Sequence, residues 1–257
     1  MNAVGIFDSG LGGISFLKEA VRLMPEENYI YFGDNAHAPY GDKPEAEVNA
    51  LALDCARKLC DAGVKAIVVA CNTATGTAIR SIRDSLLIPV VSVEPAIKPA
   101  CAIEGDGKIL MLATSVTTNM MRYQALKARM PEPARIIDVA CSGVVDRIES
   151  GVFEDDAFDD LLERHLGRYA GMKVDAIVLG CTHYVFIKGA IRRYAAAHFE
   201  GEAAFTDGNR GTALQLERVL RERGLRDTSG KGAVEFMTSG DYSRYKPMFD
   251  MLMARRM

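Results

Sequence analysis

Val64-Lys65-Ala66-Ile67-Val68-Val69-Ala70-Cys71 returns 110 residues later as Val174-Asp175-Ala176-Ile177-Val178-Leu179-Gly180-Cys181. Five of the eight positions are identical. Each run passes into small polar residues, Asn72-Thr73 after the first and Thr182-His183 after the second. Each then enters a helix-like segment, containing Ala78-Ile79-Arg80 in one case and Ala190-Ile191-Arg192 in the other. Buried parallel strands share a Val/Ile/Ala composition of necessity. A duplicated α/β unit explains more, because the cysteine and the polar residues after it keep register too. A fainter echo joins Phe7-Asp8-Ser9 to Leu112-Ala113-Thr114-Ser115.

Outward from these two runs the same alternation continues. Short apolar stretches at 3–7, 29–33, 65–70, 89–93, 108–113, 135–139, 175–180, 203–206 and 234–238 read as strands. Amphipathic stretches at 12–23, 44–62, 74–86, 117–130, 155–171 and 210–223 read as helices. Strands alternating with helices predict an α/β fold with a mostly parallel central sheet flanked by helices. No Pro-, Ser- or Gly-rich linker divides the chain, so two domains would sit in close contact rather than on a tether. In an open parallel sheet, ligands bind outside the carboxyl ends of the strands. The echo puts Cys71 and Cys181 at such ends, and two related domains facing each other would bring both thiols to one cleft.

Composition narrows the function class. The chain has 257 residues, 49% hydrophobic and 25% charged, which is ordinary for a globular protein. With 31 Lys+Arg against 34 Asp+Glu the net charge is −3, without the basic excess of a nucleic-acid binder. No apolar run approaches the ~18–20 residues of a membrane span. The first residues enter a strand-like run at once, so the expectation is a cytoplasmic protein without a signal peptide. Its six cysteines include no C-x-x-C pair, which argues against a structural zinc site, and most of them read as small apolar core residues.

Cys71 and Cys181 are different. Ala70-Cys71-Asn72-Thr73-Ala74 and Gly180-Cys181-Thr182-His183-Tyr184 each set a thiol among hydroxyl and amide donors where a helix begins. A helix N-terminus favours a thiolate and holds carboxylates. His183 can exchange a proton with the Cys181 thiol; Cys-x-His alone supplies only two metal ligands, so no metal site is expected. His37, His165 and His198 read as surface or loop residues. Gly5-Ile6-Phe7-Asp8-Ser9-Gly10-Leu11-Gly12-Gly13 is a strand followed by a glycine-rich turn, matching neither a Rossmann fingerprint nor a P-loop. Asp8 there is either a base or ammonium binder, or a helix N-cap. Gly33-Asp34 and Pro39-Tyr40-Gly41 follow the second strand as loop residues.

Together, Phe7-Asp8-Ser9-Gly10, Pro39-Tyr40-Gly41 and the two cysteine motifs resemble the glutamate racemases of the cofactor-independent aspartate/glutamate racemase superfamily, in order along nearly the whole chain. The resemblance implies two similar, pseudo-twofold-related α/β domains with the active site between them. The first would take residues 1–96 plus 207–257, the second 97–206. It implies that Cys71 and Cys181 are acid/base residues on opposite faces of the substrate Cα, the first taking the proton of D-glutamate and the second that of L-glutamate. Asp8 would assist Cys71, His183 would assist Cys181, and Glu149 would be a further catalytic carboxylate. Asp8, Ser9, Pro39, Tyr40, Gly41, Asn72, Thr73, Thr114, Thr117, Thr182 and His183 would contact the substrate. The resemblance also implies a homodimer, no cofactor, and D-glutamate made for peptidoglycan.

The chemistry has its own logic. A racemase removes a proton from one face and returns one to the other, so two groups in opposite protonation states suffice. A free thiol, with a pKa of ~8.5, needs help to ionise near neutrality. Two stretches depart from the family pattern. Cys141-Ser142-Gly143-Val144-Val145-Asp146 replaces a Cys-Pro-Leu-Phe-Val-Pro run, and Thr117-Thr118-Asn119-Met120 replaces Thr-Val-x-Ser. They leave open an aspartate or broad-specificity racemase. Outside that class stand a non-catalytic amino-acid-binding protein and a thiol redox protein using Cys71 and Cys181 as a pair.

Overall fold

Why the chain alternates strand and helix is plain in the computed structural model, which describes residues 2–255. Met1, Arg256 and Met257, which the expected domain ranges include, lie outside the described residues. In chain order the first elements are β1 (Ala3–Asp8), α1 (Ile14–Leu23), β2 (Asn28–Gly33), α2 (Glu45–Asp61), β3 (Ala66–Val69), α3 (Asn72–Ser85) and β4 (Val90–Ser92). There follow α4 (Ile97–Cys101), β5 (Lys108–Ala113), α5 (Ser115–Asn119), α6 (Met121–Lys127), β6 (Ile136–Ala140), α7 (Val144–Glu149), α8 (Asp159–Leu166), β7 (Val174–Leu179), α9 (Lys188–His198) and β8 (Ala204–Asp207). The chain closes with α10 (Asn209–Glu222), β9 (Val234–Thr238) and α11 (Tyr242–Ala254).

Two compact units result. One holds the residues up to Glu94 and those from Asn209 on; the other is Pro95–Gly208. These limits fall two residues from the expected 96/97 and 206/207, because β8 runs through Asp207 in register with Leu179 of β7. The first unit carries a parallel sheet of order β4-β3-β1-β2-β9, the second a parallel sheet of order β6-β5-β7-β8. Read from its other edge, the second is β8-β7-β5-β6, so β1 matches β5, β2 matches β6, β3 matches β7 and β4 matches β8. The sequence echo between 64–71 and 174–181 therefore falls on equivalent strands, and so does the fainter one between β1 and β5. Strand β9 is an addition to the first sheet alone.

The inner strands β1 and β3 are buried at every position, as expected of strands covered on both faces. Against the first sheet, Val48, Ala52, Cys55, Ala56 and Leu59 of α2 and Ala74, Ala78, Ile79 and Ile82 of α3 form one apolar cluster. Their i, i+3, i+4 spacing is the stripe a surface helix turns to a core. In the second unit, Ile109, Met111 and Ala113 of β5 and Ala176 and Val178 of β7 anchor a separate cluster.

All nine expected strands are present, with no end shifted by more than one residue. The helices depart further from the expected ranges. The stretch 117–130 is two helices broken at Met120, because the Thr118 hydroxyl and the Asn119 amide donate back to the Ser115 carbonyl at 3.0 and 2.9 Å. Such local bonds compete with helix continuation. The stretch 155–171 is α8 flanked by tight 3-10 turns at Asp155–Phe158 and Gly167–Tyr169. Helix α11 goes unrecognised in the sequence because Pro247 lies inside it. Its C-terminal carbonyls are satisfied from α1, where the Lys18 ammonium donates to Leu252 O at 2.8 Å and Met253 O at 2.9 Å.

A buried ion pair holds the opposite, amino edge of the first sheet. Lys65, before β3, donates to Glu27 Oε2 at 2.6 Å, and the Asp227 amide donates to Glu27 Oε1 at 2.7 Å. Both side chains are nearly sealed from water, 6% and 0% exposed, so losing one partner strands a buried charge. Glu27→Ala is expected to lower stability in urea by about 3–5 kcal/mol, and Lys65→Met added to it to recover part of the loss. A Glu27→Ala loss under about 1 kcal/mol would contradict this.

Candidate functional site

Each unit places its polar residues where parallel strands stop, and the two are described separately. In the first, β1, β2 and β3 end side by side: Asp34 N–H donates to Asp8 O at 3.0 Å and Ala70 N–H to Phe7 O at 2.8 Å. Asp8 closes β1 with no exposure, and its Oδ1 accepts the Gly10 N–H at 2.9 Å. The N-cap reading of Asp8 fails, because α1 begins only at Ile14 and its cap position is Gly13. Gly13 must be glycine for space: a Cβ there would stand 2.6 Å from the Asp8 Cβ. Under the turn, the Tyr31 hydroxyl donates to Gly10 O at 2.7 Å.

Cys71 caps α3. Its Sγ accepts the Ala74 N–H at 3.4 Å and lies 3.6 Å from Ser9 Oγ, to which the thiol donates. A helix N-terminus that aims an N–H at sulfur is the setting in which thiolates are favoured. Asn72 and Thr73 follow, 8% and 3% exposed. The Asn72 side-chain carbonyl is buried and has no hydrogen-bond partner among the described residues. Such an orphan acceptor costs about 1–3 kcal/mol and marks a place for a donor to arrive. From the end of β2, a cis peptide at Ala38-Pro39 leads into a 3-10 turn at Tyr40–Asp42. The Tyr40 ring is fully buried in the apolar cluster and its hydroxyl is taken by Asp34, so what Tyr40 can present to a ligand is its backbone.

In the second unit, Cys181 follows β7, and Gly180 N–H donates to Leu112 O of neighbouring β5 at 2.8 Å. The sequence leads one to expect an α-helix directly after Cys181. Instead a 3-10 helix spans Thr182–Ile187 before α9 begins at Lys188. The segment Thr-His-Tyr-Val-Phe-Ile is all β-branched or aromatic apart from its histidine, residues of low α-propensity, and all six are buried. This tight turn brings His183 back onto Cys181: Nδ1 lies 3.7 Å from Sγ, and Nε2 lies 2.6 Å from Glu149 Oε1. Thiol, imidazole and carboxylate thus form one line. All three are buried, at 7%, 2% and 8% exposure. Burial disfavours a charged ring, but the hydrogen bonds to Cys181 and Glu149 and their negative charges outweigh it and hold His183 well above an ordinary imidazole.

Around that line, Thr182 is buried, and Thr114 caps α5 by accepting the Thr117 N–H at 3.3 Å while its hydroxyl donates to Thr117 Oγ1 at 3.0 Å. Gly143, with φ +82, makes the left-handed entry into α7, which carries Glu149, a conformation that favours glycine. Cys141, which opens one of the two departing stretches, follows β6, its thiol pushed up to about 12 by burial and by Cys181. The structure thus gathers Asp8, Ser9, Cys71, Asn72 and Thr73 in one unit, and Glu149, Cys181, Thr182 and His183 in the other. The His183–Glu149 contact had no signal in the sequence, since the two are 34 residues apart. Among the described residues no group of three or more His, Cys, Asp or Glu can hold a metal, and no helix is long and apolar enough to cross a membrane.

The raised His183 value has a consequence for stability. A histidine held above its unfolded value of 6.5 stabilises fully below that pH, and the contribution is lost as pH rises through the folded value. The thermal midpoint of the native protein is expected to fall from pH 6.5 upward more steeply than that of His183→Asn. Parallel profiles would mean that the ring is not held charged.

Comparison with known proteins gives a consistent picture. The family model described as Asp/Glu/Hydantoin racemase matches residues 12–207. A glutamate racemase of Clostridium acetobutylicum is 40% identical over 93% of this chain and 92% of its own length. The glutamate racemase of Francisella tularensis, solved in complex with D-glutamate, superposes with a TM-score of 0.84 at 27% identity, covering 99% of this chain and 94% of that one. That of Escherichia coli, solved with L-glutamate and the activator UDP-MurNAc-ala, gives 0.81 at 27% identity over 97% and 95%.

Proposed function

This chain belongs to the Asp/Glu/Hydantoin racemase family, and from that premise we propose that it is a glutamate racemase that interconverts L- and D-glutamate by transferring protons at Cα between two thiols. The observation that carries this reading is the placement of Cys71 and Cys181 just beyond the equivalent strands β3 and β7, each thiol in contact with polar groups of its own unit. Residues of glutamate racemases solved with either enantiomer superpose on nearly the whole chain, which supports the substrate. The two units are the two domains of this reading.

From L-glutamate, the Cys181 thiolate takes the α-proton: the C–H bond breaks and S–H forms, leaving the electron pair on carbon. The Cys71 thiol returns a proton to the opposite face and is left as the thiolate, ready for the reverse direction. The charged His183, held by Glu149, stabilises the Cys181 thiolate; Asp8 and the α3 N-terminus serve Cys71. Carbanion charge spreads into the α-carboxylate, where hydroxyl and amide donors of Ser9, Asn72, Thr73 and Thr182 meet it. Pro39, Gly41 and the Tyr40 backbone, with Thr114 and Thr117, complete the substrate contacts. No cofactor is required by this scheme. The product serves peptidoglycan synthesis, and the enzyme works as a cytoplasmic homodimer.

The test is polarimetric or circular-dichroic assay of both glutamates and both aspartates without added cofactor. Glutamate is expected to racemise with solvent deuterium entering at Cα, and Cys71→Ala and Cys181→Ala each to abolish turnover; full activity in either variant would end the two-thiol scheme. His183→Asn is expected to lower kcat more from L to D than from D to L. The two kcat/KM values must fall together, since the enantiomers are equal in energy. Equal loss in both kcat values would detach His183 from Cys181.

A further inference from the structure

We propose that Asp34 is a positioning residue that holds the loop presenting Pro39, Tyr40 and Gly41. Asp34 is the first residue after β2 and is 2% exposed. Its Oδ2 accepts the Tyr40 hydroxyl at 2.5 Å and its Oδ1 lies 2.9 Å from His37 Nδ1, while its backbone N–H donates to Asp8 O at 3.0 Å. One residue therefore ties the strand end that carries Asp8 to both arms of the loop. A buried carboxylate persists only where donors meet it, so the loop is shaped around this group.

The phenol is suited to that task. Burial first, then the neighbouring Cys55 and Asp34, push Tyr40 far above an ordinary phenol, so it remains a donor throughout the working range. The other flank of the loop is held from β9. Thr238 Oγ1 donates to Asn35 Oδ1 at 2.8 Å, and the Ala36 N–H donates to Ser239 Oγ at 3.1 Å. Strand β9 lacks a counterpart in the second sheet, and this clamp gives the addition a purpose. Backbone contacts from a loop of this kind depend on where the loop is held rather than on its side chains, so rigidity here is binding affinity held in advance.

The inference rests on the reading that this loop contacts glutamate, and its test separates the two. In wild type, Asp34→Ala, Tyr40→Phe and the double variant, KM and kcat are measured for both enantiomers, and amide hydrogen exchange of 36–42 is followed without ligand. Each single change is expected to raise KM about tenfold with kcat within about threefold, the pattern of lost uniform binding. The double variant should be no worse than Asp34→Ala alone, because the Tyr40 bond is already lost there. Exchange at 36–42 should quicken in each. Unchanged KM, or losses that multiply in the double variant, would overturn the assignment. A wild type inert toward glutamate would remove the substrate reading instead, and unaltered exchange in the variants would then remove the clamp as well. Should Asp34→Ala fail to fold, Tyr40→Phe keeps the ring and carries the same measurements.

Discussion

Parallel pairing is the constraint from which the remainder follows. When β1, β2 and β3 run the same way, Asp8, Asp34 and Cys71 are delivered to one edge without any of them having to reach. The same holds for β5, β6 and β7, beyond whose ends lie Thr114, Cys141 and Cys181. At that edge the chain has left the ladder and the next helix is only starting, so backbone N–H groups stand free. A thiol placed there finds donors already oriented, as Ala74 N–H is on Cys71. The two sheets obey the same order of strands, so the device is made twice from one plan.

The two thiols are nevertheless served differently. Cys71 sits on a regular helix N-terminus, with a hydroxyl from the glycine-rich turn beside it. Cys181 opens a 3-10 helix instead, which folds His183 back within 3.7 Å of the sulfur and leaves its far nitrogen to Glu149. A neutral helix dipole faces the sulfur on one side; a buried imidazolium–carboxylate pair faces it on the other. For a reaction whose two directions are equal in energy, such unequal means can still serve equal ends.

Much of this architecture is legible before any coordinates. Nine apolar runs separated by helix-period stretches become nine strands, because a strand covered on both faces has to be written in Val, Ile, Leu and Ala. The helices are less transparent. Asn119 and Thr118 end a helix by bonding back to Ser115, and Pro247 hides one whose terminus is completed by Lys18 from elsewhere in the chain. Tyr40 reads as a loop residue, and its ring lies in the core. Asp34 reads as a turn residue and is the anchor of a loop.

The sequence by itself determined the alternation, the duplication and the identity of the two cysteines, since each is written in local composition or in short spacing along the chain. Only the tertiary structure decided how the groups around those cysteines bond to one another. The Glu149–His183 contact, the Asp34–Tyr40 grip and the orphaned Asn72 carbonyl depend on burial and on the meeting of separate elements. Neither is encoded in spacing, because a side chain's charge and hydrogen bonding are set by what packing brings against it.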